Sequence, residues 1–368
     1  MINVGITGSD GLIGYHLRVL LDNIDDVGVR CANRKTFSSE NEMSEFTAGL
    51  DYIVHLADKN VGADEDLRSI NLSISESLVD ACERSKSNPH IIFASSTHTL
   101  LNPNAAYSIS KEECSAYISK WCKENDCNFT NLIIPHVFGE FGKPFYNSVV
   151  SSFCYQIANG EETKVIHDKE LELLHAFDVA KGVYEIIETN ATGEIKLDGE
   201  KTSVINLRER LIHLSSLYLG NIIPQNLTSL DTKLFNTFRS YLPENYYPQQ
   251  YTQHIDERGM LFESIKAEHT GLTFCSTTKP GITRGNHYHI DKFERFIVLE
   301  GEAIIRFRRL FSDGVKTFKV NGEKPSYIDI PTYTTHNITN VGDSNLLTLF
   351  WSNVFFDPDN PDTYFEEV

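Results

Sequence analysis

Short apolar runs alternate with amphipathic stretches along the first 135 residues of the chain. The runs predict five strands, at residues 2–6, 27–31, 52–55, 90–94 and 129–134. Apolar positions with helical spacing fall at about residues 12–22, 65–84, 105–125, 146–160, 178–189 and 229–241. Strands that alternate with helices in this way predict a Rossmann-like, doubly wound parallel sheet of the α/β class.

The pattern changes beyond residue 251, where apolar runs become shorter, richer in β-branched and aromatic residues, and separated by turn residues. Typical runs are LTFCSTT, RFIVLEG, AIIRFRRL, SYIDIP and LLTLFW. Such runs predict an all-β barrel or sandwich. The stretch SYLPENYYPQQY, residues 240–251, is typical of a connection between domains. We therefore predict an α/β domain over residues 1–244 and an all-β domain over residues 245–368.

Composition and charge narrow the class of protein. The 368 residues, 40% of them hydrophobic, suffice for two domains with cores of their own. The net charge of −18 argues against a nucleic-acid or membrane-surface partner. Seven scattered cysteines without a Cys-x-x-Cys pair indicate reduced thiols. No apolar run is long enough to span a membrane, and the opening MINVGIT is typical of a strand rather than a leader, so we expect a cytoplasmic protein.

A glycine-rich turn joins the first predicted strand to the first predicted helix. Glycines let the backbone approach a pyrophosphate, and the helix N-terminus supplies free N–H groups and a positive dipole. The turn therefore predicts a dinucleotide site, whose candidate residues are Thr7, Gly8, Gly11, Leu12, Ile13 and Gly14.

Two later segments refine the cofactor prediction. The second strand runs into Arg34 and Lys35, where a site for NAD would place a carboxylate against the ribose diol. Cations at this point suit a 2′-phosphate, so the predicted cofactor is NADPH. The third strand runs into Leu56 and Ala57, a place where the backbone can lie under an adenosine.

Candidate catalytic side chains follow the fourth predicted strand. Ser95 and Ser96 end that strand, and Tyr107 and Lys111 share one face of the next helix because they are four residues apart. A phenol is a poor acid at neutral pH unless a nearby cation lowers its pKa. A serine hydroxyl can hold a substrate carbonyl. The set predicts a proton donor beside a hydride donor, with Ser96, Tyr107 and Lys111 as the catalytic residues and Ser95 as the alternative serine.

Residues 1 to about 240 resemble an extended short-chain dehydrogenase/reductase. The resemblance implies that the cofactor is also bound by Lys111, by Asn71 on a helix and by Pro135 after the fifth strand. The family usually has Pro-Asn-x-x-Gly at this last point, and the chain reads PHVFG. His136 therefore replaces the Asn that lies near the nicotinamide and the substrate in that family.

A second group of candidate ligands lies in the all-β half. His287 and His289 are two residues apart on a predicted strand, so their rings share a face, and Glu294 and His336 follow. Three His and one Glu predict a site for a divalent transition metal such as zinc. The segment from residue 281 to 301 closely matches the cupin signature, which implies a cupin barrel. In the second half of that signature Tyr333 replaces a Gly.

Sugar-epimerising cupins abstract a proton next to a ketone, which requires a base and an electrophile. A bound metal could be the electrophile, and the candidate bases are Tyr333, Lys292 and His289. The alternative is a metal that only holds the barrel together. The basic run RFRR at 306–309 could meet a diphosphate, although a solvated strand face with packing side-chain stems is the simpler interpretation.

The whole chain resembles the bifunctional capsular-polysaccharide nucleotide-sugar enzymes of the CapF type. The matching stretches are KPFYNSVVSSFCYQIANGEE at 143–162, SYLP at 240–243, KPGITRGNHYH at 279–289 and FDPDNPDTYFEEV at 356–368. The resemblance implies a homodimer with zinc in its cupin. It also implies that Lys143 and Asn147 lie in the nucleotide-sugar pocket, since their loop follows the fifth strand.

The activity that this resemblance implies has two steps. The cupin epimerises carbon 3 of a UDP-2-acetamido-2,6-dideoxy-hexos-4-ulose, and the reductase then reduces the 4-ketone with NADPH. The product is UDP-N-acetyl-6-deoxy-L-talosamine, on the route to N-acetyl-L-fucosamine for capsule or O-antigen. Two alternatives stay open: an NADPH-dependent reductase of another nucleotide-linked 4-keto-6-deoxy sugar whose cupin only dimerises or binds metal, and a non-catalytic cofactor sensor.

Overall fold

The computed structural model describes residues 1–246, 249, 252–289, 292, 294–310, 313–324, 326–330 and 334–368. The described chain forms two compact units. The first contains Met1–Ser215 and Thr228–Pro243, and the second contains Ser216–Leu227 and Glu244–Val368. Residues 216–227, which the sequence assigned to the first domain, thus belong to the second unit. The reason is a short strand, Ile222–Ile223, that pairs in parallel with a strand of that unit.

The first unit is built on a six-stranded parallel sheet, which confirms the predicted Rossmann-like architecture. Its strands, with three that form a smaller sheet, are β1 (Ile2–Thr7), β2 (Val27–Ala32), β3 (Tyr52–His55), β4 (His90–Ser96), β5 (Phe129–Ile134), β6 (His136–Phe138), β7 (Glu170–His175), β8 (Gly193–Lys196) and β9 (Glu200–Ser203). The large sheet has the order β2-β1-β3-β4-β5-β8, and the small sheet has the order β6-β7-β9. The chain changes direction across the sheet between β1 and β3, which is where ligands bind in folds of this class.

Helices cover both faces of the parallel sheet. They are α1 (Leu12–Leu21), α2 (Arg34–Phe37), α3 (Glu40–Thr47), α4 (Asp64–Ser85), α5 (Thr97–Leu101), α6 (Ala106–Glu124), α7 (Val149–Ala158), α8 (Ala176–Thr189), α9 (Val204–Leu219) and α10 (Ser229–Arg239). One core lies where α3, α4 and α6 pack on the sheet, and another lies where α1 and α8 pack on it. None of the described helices has the length and apolar character needed to span a bilayer.

The ends of the two longest helices show how local sequence sets their length. Lys86, the residue after α4, has φ 53°, and so does Asp126, two residues after α6. After each helix, an N–H turns back to a carbonyl five residues earlier, from Ser87 to Cys82 and from Cys127 to Cys122. This arrangement satisfies carbonyls that the helix leaves free. The chain can then enter β4 and β5 directly.

The second unit is mostly β-structure. Its strands are β10 (Ile222–Ile223), β11 (His254–Asp256), β12 (Gly259–Ala267), β13 (Gly271–Thr278), β14 (Thr283–Tyr288), β15 (Glu294–Glu300), β16 (Glu302–Arg309), β17 (Val315–Asn321), β18 (Tyr327–Ile330), β19 (Thr334–Asn340), β20 (Leu346–Ser352) and β21 (Tyr364–Phe365). One sheet has the order β10-β12-β13-β20-β15-β18, with β11 beside β12, and the other has the order β17-β16-β19-β14-β21. Apolar side chains from both sheets share one core, among them Phe296 and Phe350 from the first sheet and Ile305 and Ile338 from the second.

Leu78, which is fully buried on α4, tests the packing of the first unit. The change Leu78→Ala is expected to lower the free energy of unfolding by about 2–5 kcal/mol, because it removes apolar contacts and leaves a cavity. Urea denaturation followed by circular dichroism measures the change. Ile70→Ala, at a position of α4 that is 38% exposed, is the control and should change stability by less than about 1 kcal/mol. An equal loss in the free energy of unfolding for both variants would contradict the packing described.

Candidate active and metal sites

The turn after β1 needs glycine at two positions. Gly8 has φ +68°, and a Cβ there would lie 2.9 Å from the backbone nitrogen of Ala57. A Cβ on Gly14 would lie 2.4 Å from the carbonyl oxygen of Gly8. No side chain caps α1 at its N-cap residue, Gly11. The first N–H groups of α1, at Leu12 and Ile13, are thus free of a side-chain cap, as a pyrophosphate site requires.

Thr7 joins this turn to the end of β3. Its hydroxyl oxygen accepts hydrogen bonds from the backbone N–H groups of Leu56 and Ala57, at 3.1 and 3.2 Å. The same oxygen lies 2.8 Å from Nδ1 of His55. Burial lowers the pKa of His55 to about 3, so this ring is neutral and its Nδ1 can accept the hydroxyl proton. The structure therefore brings Thr7, Leu56 and Ala57, three of the predicted cofactor residues, together. The Thr7 hydroxyl is hydrogen-bonded to groups of the protein itself.

Ser96 ends β4 and caps α5. Its oxygen accepts a hydrogen bond from the N–H of His98 at 3.1 Å, which leaves its own proton free for another acceptor. The ring of His98 packs edge-on against the ring of Tyr107, with 6.2 Å between centroids. Ser96 is therefore two positions along the chain from His98, the residue that contacts Tyr107. Ser95, the alternative serine, is buried and points to the opposite face of the sheet, since side chains alternate along a strand.

Tyr107 and Lys111 lie in the first two turns of α6 and meet a carboxylate that the sequence did not predict. The ammonium of Lys111 donates to the carbonyl oxygen of Ala94 at 2.7 Å and lies 2.8 Å from Oδ2 of Asp58. The Tyr107 hydroxyl donates to the same Oδ2 at 3.4 Å. Asp58 follows β3 by three residues, so it reaches the site from the sheet edge. A polar residue just after a parallel strand is the signal that could have identified it.

The electrostatics of this group differ from the expected phenol–ammonium pair. Burial and the Asp58 carboxylate raise the pKa of Tyr107 to about 12, although Lys111 acts in the opposite direction. Burial lowers the pKa of Lys111, but Asp58 and Tyr107 outweigh it, so the net shift is upward and the side chain is an ammonium. Lys111 thus lowers the pKa of Tyr107 as expected, but burial and Asp58 together outweigh it, and the net pKa lies above the ordinary value.

Asn71 holds the segment that carries Asp58. Its side-chain oxygen accepts from the N–H of Lys59 at 2.6 Å, and its amide donates to the carbonyl of Lys59 at 2.9 Å. The amide also donates to Ser110 on α6, at 3.1 Å. Asn71, a predicted cofactor ligand, is 4% exposed and makes all of these contacts within the protein. It ties the loop after β3 to α4 and α6.

The remaining predicted residues of the first unit lie in loops or at strand ends. Arg34 and Lys35 are exposed at the start of α2, and Asn33 caps that helix. Pro135 separates β5 from β6, and His136 begins β6. Burial lowers the pKa of His136 to about 4, and its Nε2 has no hydrogen-bond partner among the described residues. A neutral ring whose Nε2 has no partner within the described protein can form a hydrogen bond to a ligand.

Lys143 and Asn147 are exposed in the loop between β6 and α7. The ammonium of Lys143 lies over the ring of Tyr146, 5.1 Å from its centroid. The hydroxyl of Tyr241, which follows α10, donates to the carbonyl of Gly142 at 2.5 Å, so a buried contact anchors the middle of this loop. Both predicted sugar-pocket residues are therefore accessible on an anchored loop.

In the second unit, His287, His289, Glu294 and His336 come together. Their potential ligand atoms all lie within 4.8 Å of one another. β14 and β19 place His287 directly opposite His336, whereas Glu294 begins β15 of the other sheet. The four groups therefore lie between the two sheets, and pairing of the strands explains how a histidine 49 positions away joins the group.

A bulge in β14 sets this alignment. Gly285 pairs with Asn337 and His287 pairs with His336, so Asn286 is the extra residue. Gly285 has φ +102°, and a Cβ there would lie 2.7 Å from the carbonyl oxygen of His336. Bulges re-aim side chains in this way. Without it, His287 would lie out of register with His336.

Hydrogen bonds fix the orientation of two of the histidine rings. Nδ1 of His289 lies 2.6 Å from the carbonyl of Asp362, and Nδ1 of His336 lies 3.1 Å from the carbonyl of Thr334. Because a carbonyl only accepts, both Nδ1 atoms carry the proton and both Nε2 atoms present lone pairs. These buried Nε2 atoms have no hydrogen-bond partner among the described residues, and they lie 3.5 and 3.6 Å from Oε2 of Glu294.

This donor set fits a metal ion. Burial lowers the pKa of His287 to about 3, so its ring is neutral. Burial raises the pKa of Glu294, whereas the Lys292 ammonium, 3.8 Å away, lowers it; the net pKa lies below its usual range, so the group is a carboxylate. Lone pairs that converge without a proton between them require a cation, and His nitrogen with carboxylate oxygen suits a divalent transition metal such as zinc.

The C-terminal segment supports the cluster and was missed in the sequence. The N–H of Lys292 donates to Asp362, and its ammonium donates to Thr363 at 3.1 Å. Lys292 also lies 3.8 Å from Glu294. Lys292 and His289, two of the candidate bases, are thus engaged in contacts of the site itself. The third, Tyr333, lies outside the described residues.

Two arginines of the basic run at 306–309 make hydrogen bonds within the second unit. Arg306 donates to Thr339 at 3.2 Å. Arg308 donates to the Glu366 carboxylate at 2.9 Å and to the carbonyl of Glu367 at 2.7 Å. Its side chain is 17% exposed. The Arg308 guanidinium therefore holds the C-terminal segment in place, and the solvated face expected from the sequence does not extend to this residue.

In a second cluster of the same residue types, in the first unit, the two histidine rings differ. Nδ1 of His16 lies 2.9 Å from the carbonyl of Leu12, as in the cluster of the second unit, whereas His175 has the opposite arrangement. His16 and His175 each direct Nε2 at Oε2 of Glu140, at 3.1 and 3.0 Å. Nδ1 of His175 accepts the N–H of Phe177 at 3.2 Å, so its proton is on Nε2 and that atom donates to Glu140. His175 consequently offers no lone pair to a metal. The cluster is a hydrogen-bonded link between α1, the loop after β6 and α8.

Comparisons with known families cover most of the chain. Residues 4–198 match the NAD dependent epimerase/dehydratase family, and residues 254–364 match the polysaccharide biosynthesis C-terminal domain. A relative from Pseudomonas aeruginosa, UDP-2-acetamido-2,6-beta-L-arabino-hexul-4-ose reductase, is 28% identical over 370 residues, which cover 99% of this chain and 98% of the relative.

Solved structures agree with these matches. The capsular polysaccharide assembling protein CapF from Staphylococcus aureus is 32% identical, with a TM-score of 0.88 and full coverage of both chains. UDP-glucose 4-epimerase from Thermotoga maritima is 18% identical, with a TM-score of 0.56, and covers 65% of this chain and 98% of its own. The second likeness shows the fold of the first unit alone. The first confirms the resemblance drawn from the sequence.

The metal site leads to a direct test. Purified protein is expected to carry about one zinc or similar ion per chain, because three rings and one carboxylate supply a full ligand set. His336→Gln should reduce bound metal at least about tenfold, as measured by inductively coupled plasma mass spectrometry. His269→Gln, at an exposed histidine of the same unit, is the matched control and should keep its metal. Equal metal contents in both variants would contradict the assignment.

Proposed function

Because the chain belongs to the NAD dependent epimerase/dehydratase family and, over its full length, to the CapF family, we propose that it is a bifunctional nucleotide-sugar enzyme. Its second unit is a cupin that epimerises carbon 3 of a UDP-2-acetamido-2,6-dideoxy-hexos-4-ulose. Its first unit reduces the 4-ketone to UDP-N-acetyl-6-deoxy-L-talosamine. The product feeds synthesis of capsule or O-antigen.

The observation that carries the reductase proposal is the group formed by Ser96, Tyr107, Lys111 and the glycine turn at one sheet edge. Bound NADPH supplies the hydride. The free proton of Ser96 hydrogen-bonds the ketone oxygen and orients the carbonyl. Tyr107, which is protonated at neutral pH, donates its proton to that oxygen as negative charge develops there. Lys111 remains an ammonium throughout, held by Ala94 and Asp58.

The preference for NADPH rests on Arg34. It is exposed at the first turn of α2, directly after β2, and it forms no ion pair with any residue that the structure describes. Lys35 lies next to it. A guanidinium that is free at the end of β2 suits the 2′-phosphate of NADPH, whereas the ribose diol of NADH needs a carboxylate there.

The epimerase proposal rests on the cluster His287, His289, Glu294 and His336. These residues would hold a divalent metal, which would supply the Lewis acidity that makes the carbon beside the ketone acidic. The histidine rings and Glu294 hold the ion, and the contacts of the C-terminal segment fix their orientation. Epimerisation has to precede reduction, because the ketone that acidifies carbon 3 is removed by the hydride transfer.

We further propose that the protein is a homodimer and that it is located in the cytoplasm.

The reductase reaction can be tested at Tyr107. Tyr107→Phe is expected to lower the rate of NADPH oxidation with the UDP-4-keto sugar at least about a hundredfold, since the proton donor is lost. Oxidation is followed by absorbance at 340 nm with NADPH binding measured in parallel. Tyr15→Phe, at an exposed tyrosine of the same unit, is the control. A Tyr107→Phe variant that keeps wild-type activity would refute the assignment, and wild-type protein that binds NADPH without turnover of any nucleotide sugar would favour a cofactor sensor.

The epimerase reaction can be tested separately from reduction. In D₂O and without NADPH, wild-type protein should incorporate deuterium at carbon 3 of the keto sugar, as measured by NMR. His287→Ala should lose this exchange because a metal ligand is missing. NADPH binding should be unchanged in His287→Ala, since the first unit keeps its residues. Exchange that proceeds at the same rate in both proteins would indicate that the second unit only binds metal or dimerises.

A further inference from the structure

Asp58 changes the charge balance beside the phenol of the reductase site. A phenol with a lone ammonium beside it is pushed towards the phenolate, because the cation stabilises the negative charge. Here one oxygen of Asp58 lies 2.8 Å from the ammonium of Lys111 and 3.4 Å from the hydroxyl of Tyr107. The carboxylate offsets the cation and itself opposes a second negative charge at the phenol.

The position of Asp58 is built into the fold. It follows β3, and the next residue, Lys59, has both its N–H and its carbonyl bound by Asn71. The Asn71 side chain in turn donates to Ser110 on the helix that carries Tyr107 and Lys111. The loop and the helix are therefore fixed to each other through one buried amide. Asp58 has a side-chain exposure of 19%, so solvent screens its charge only in part.

The protonation state of the phenol matters for the direction of the chemistry. Reduction of a ketone breaks the O–H bond of Tyr107 and forms an O–H bond on the substrate, while hydride from NADPH forms the C–H bond and the cofactor is oxidised. The site must therefore begin with a protonated phenol, and water returns the proton afterwards. Oxidation of an alcohol would need the phenolate at the start.

We propose that Asp58 is a positioning residue of the reductase site, which holds the Lys111 ammonium in place and keeps the Tyr107 phenol in its proton-donating form. The proposal rests on the proposed reductase function of the same site. The other groups that face this phenol are Lys111, Tyr146 and His98, and His55 faces Lys111 and Asp58 from β3. Asp58 is the carboxylate among these described neighbours.

The test replaces Asp58 with its neutral isostere. In Asp58→Asn, ionisation of Tyr107 should move to lower pH by at least about one unit, because an unopposed ammonium now faces the phenol. Absorbance of tyrosinate near 295 nm measures this ionisation without cofactor, with Asp58→Asn/Tyr107→Phe as the blank that isolates the one tyrosine. In the enzyme assay, the alkaline limb of the kcat/KM profile should move to lower pH by a similar amount.

Two controls make the outcome specific. Asp80→Asn removes the same charge from an exposed carboxylate of α4 and should leave both readouts unchanged. Asp58→Glu keeps the charge and should restore the wild-type alkaline limb. If circular dichroism shows that Asp58→Asn does not fold, Asp58→Ser provides the neutral variant.

Tyrosinate titrations that coincide in wild type and the neutral variant would overturn the proposal. Failure of wild type to reduce any keto sugar would refute the proposed function instead, and the titration would still decide the role of Asp58.

Discussion

The carboxyl ends of neighbouring parallel strands meet at one edge of a sheet, and the reductase site depends on that constraint. The glycine turn follows β1, Asp58 follows β3, Ser96 ends β4 and Pro135 follows β5. Residues 38 to 48 positions apart end up on adjacent strands because β1, β3, β4 and β5 pair in parallel, each with the next. α6 then needs only to pack across this edge for Tyr107 to reach the same place. In the first unit, the parallel sheet therefore brings the segments of the site together, and the strand ends, loops and α6 supply its side chains.

Hydrogen-bond polarity distinguishes the two His–Glu clusters of the chain. At the cluster of the second unit, carbonyl oxygens take the Nδ1 protons of His289 and His336, so lone pairs converge on one point. At the cluster of the first unit, a backbone N–H occupies Nδ1 of His175, so a proton is directed at Glu140. The same residue types thus give converging lone pairs in the second unit, whereas in the first unit the ring of His175 donates its proton to Glu140. For each ring, the partner of Nδ1 decides whether Nε2 presents a lone pair or a proton.

The sequence could predict the groups whose spacing is local. The glycine turn, the Tyr107–Lys111 pair on one helix face and the His287–His289 pair on one strand all follow from backbone periodicity. Asp58 could not be predicted with the same ease, because its role depends on the pairing of β3 with its neighbours rather than on any motif. The supporting carbonyl of Asp362 lies 73 positions from His289 and has no side-chain signature. Residues 216–227 look helical and then irregular in the sequence, and only the pairing of β10 with β12 assigns them to the second unit.

The C-terminal segment is part of the wall around the metal-ligand cluster. β21 pairs with β14 next to His287, and the carbonyl of Glu366 accepts the hydroxyl proton of Thr335, the neighbour of His336. None of these C-terminal residues supplies a metal ligand, yet Glu366 lies 30 positions beyond His336, the last ligand in the sequence. A substitution in this segment can therefore loosen the histidine cluster without touching any residue of it.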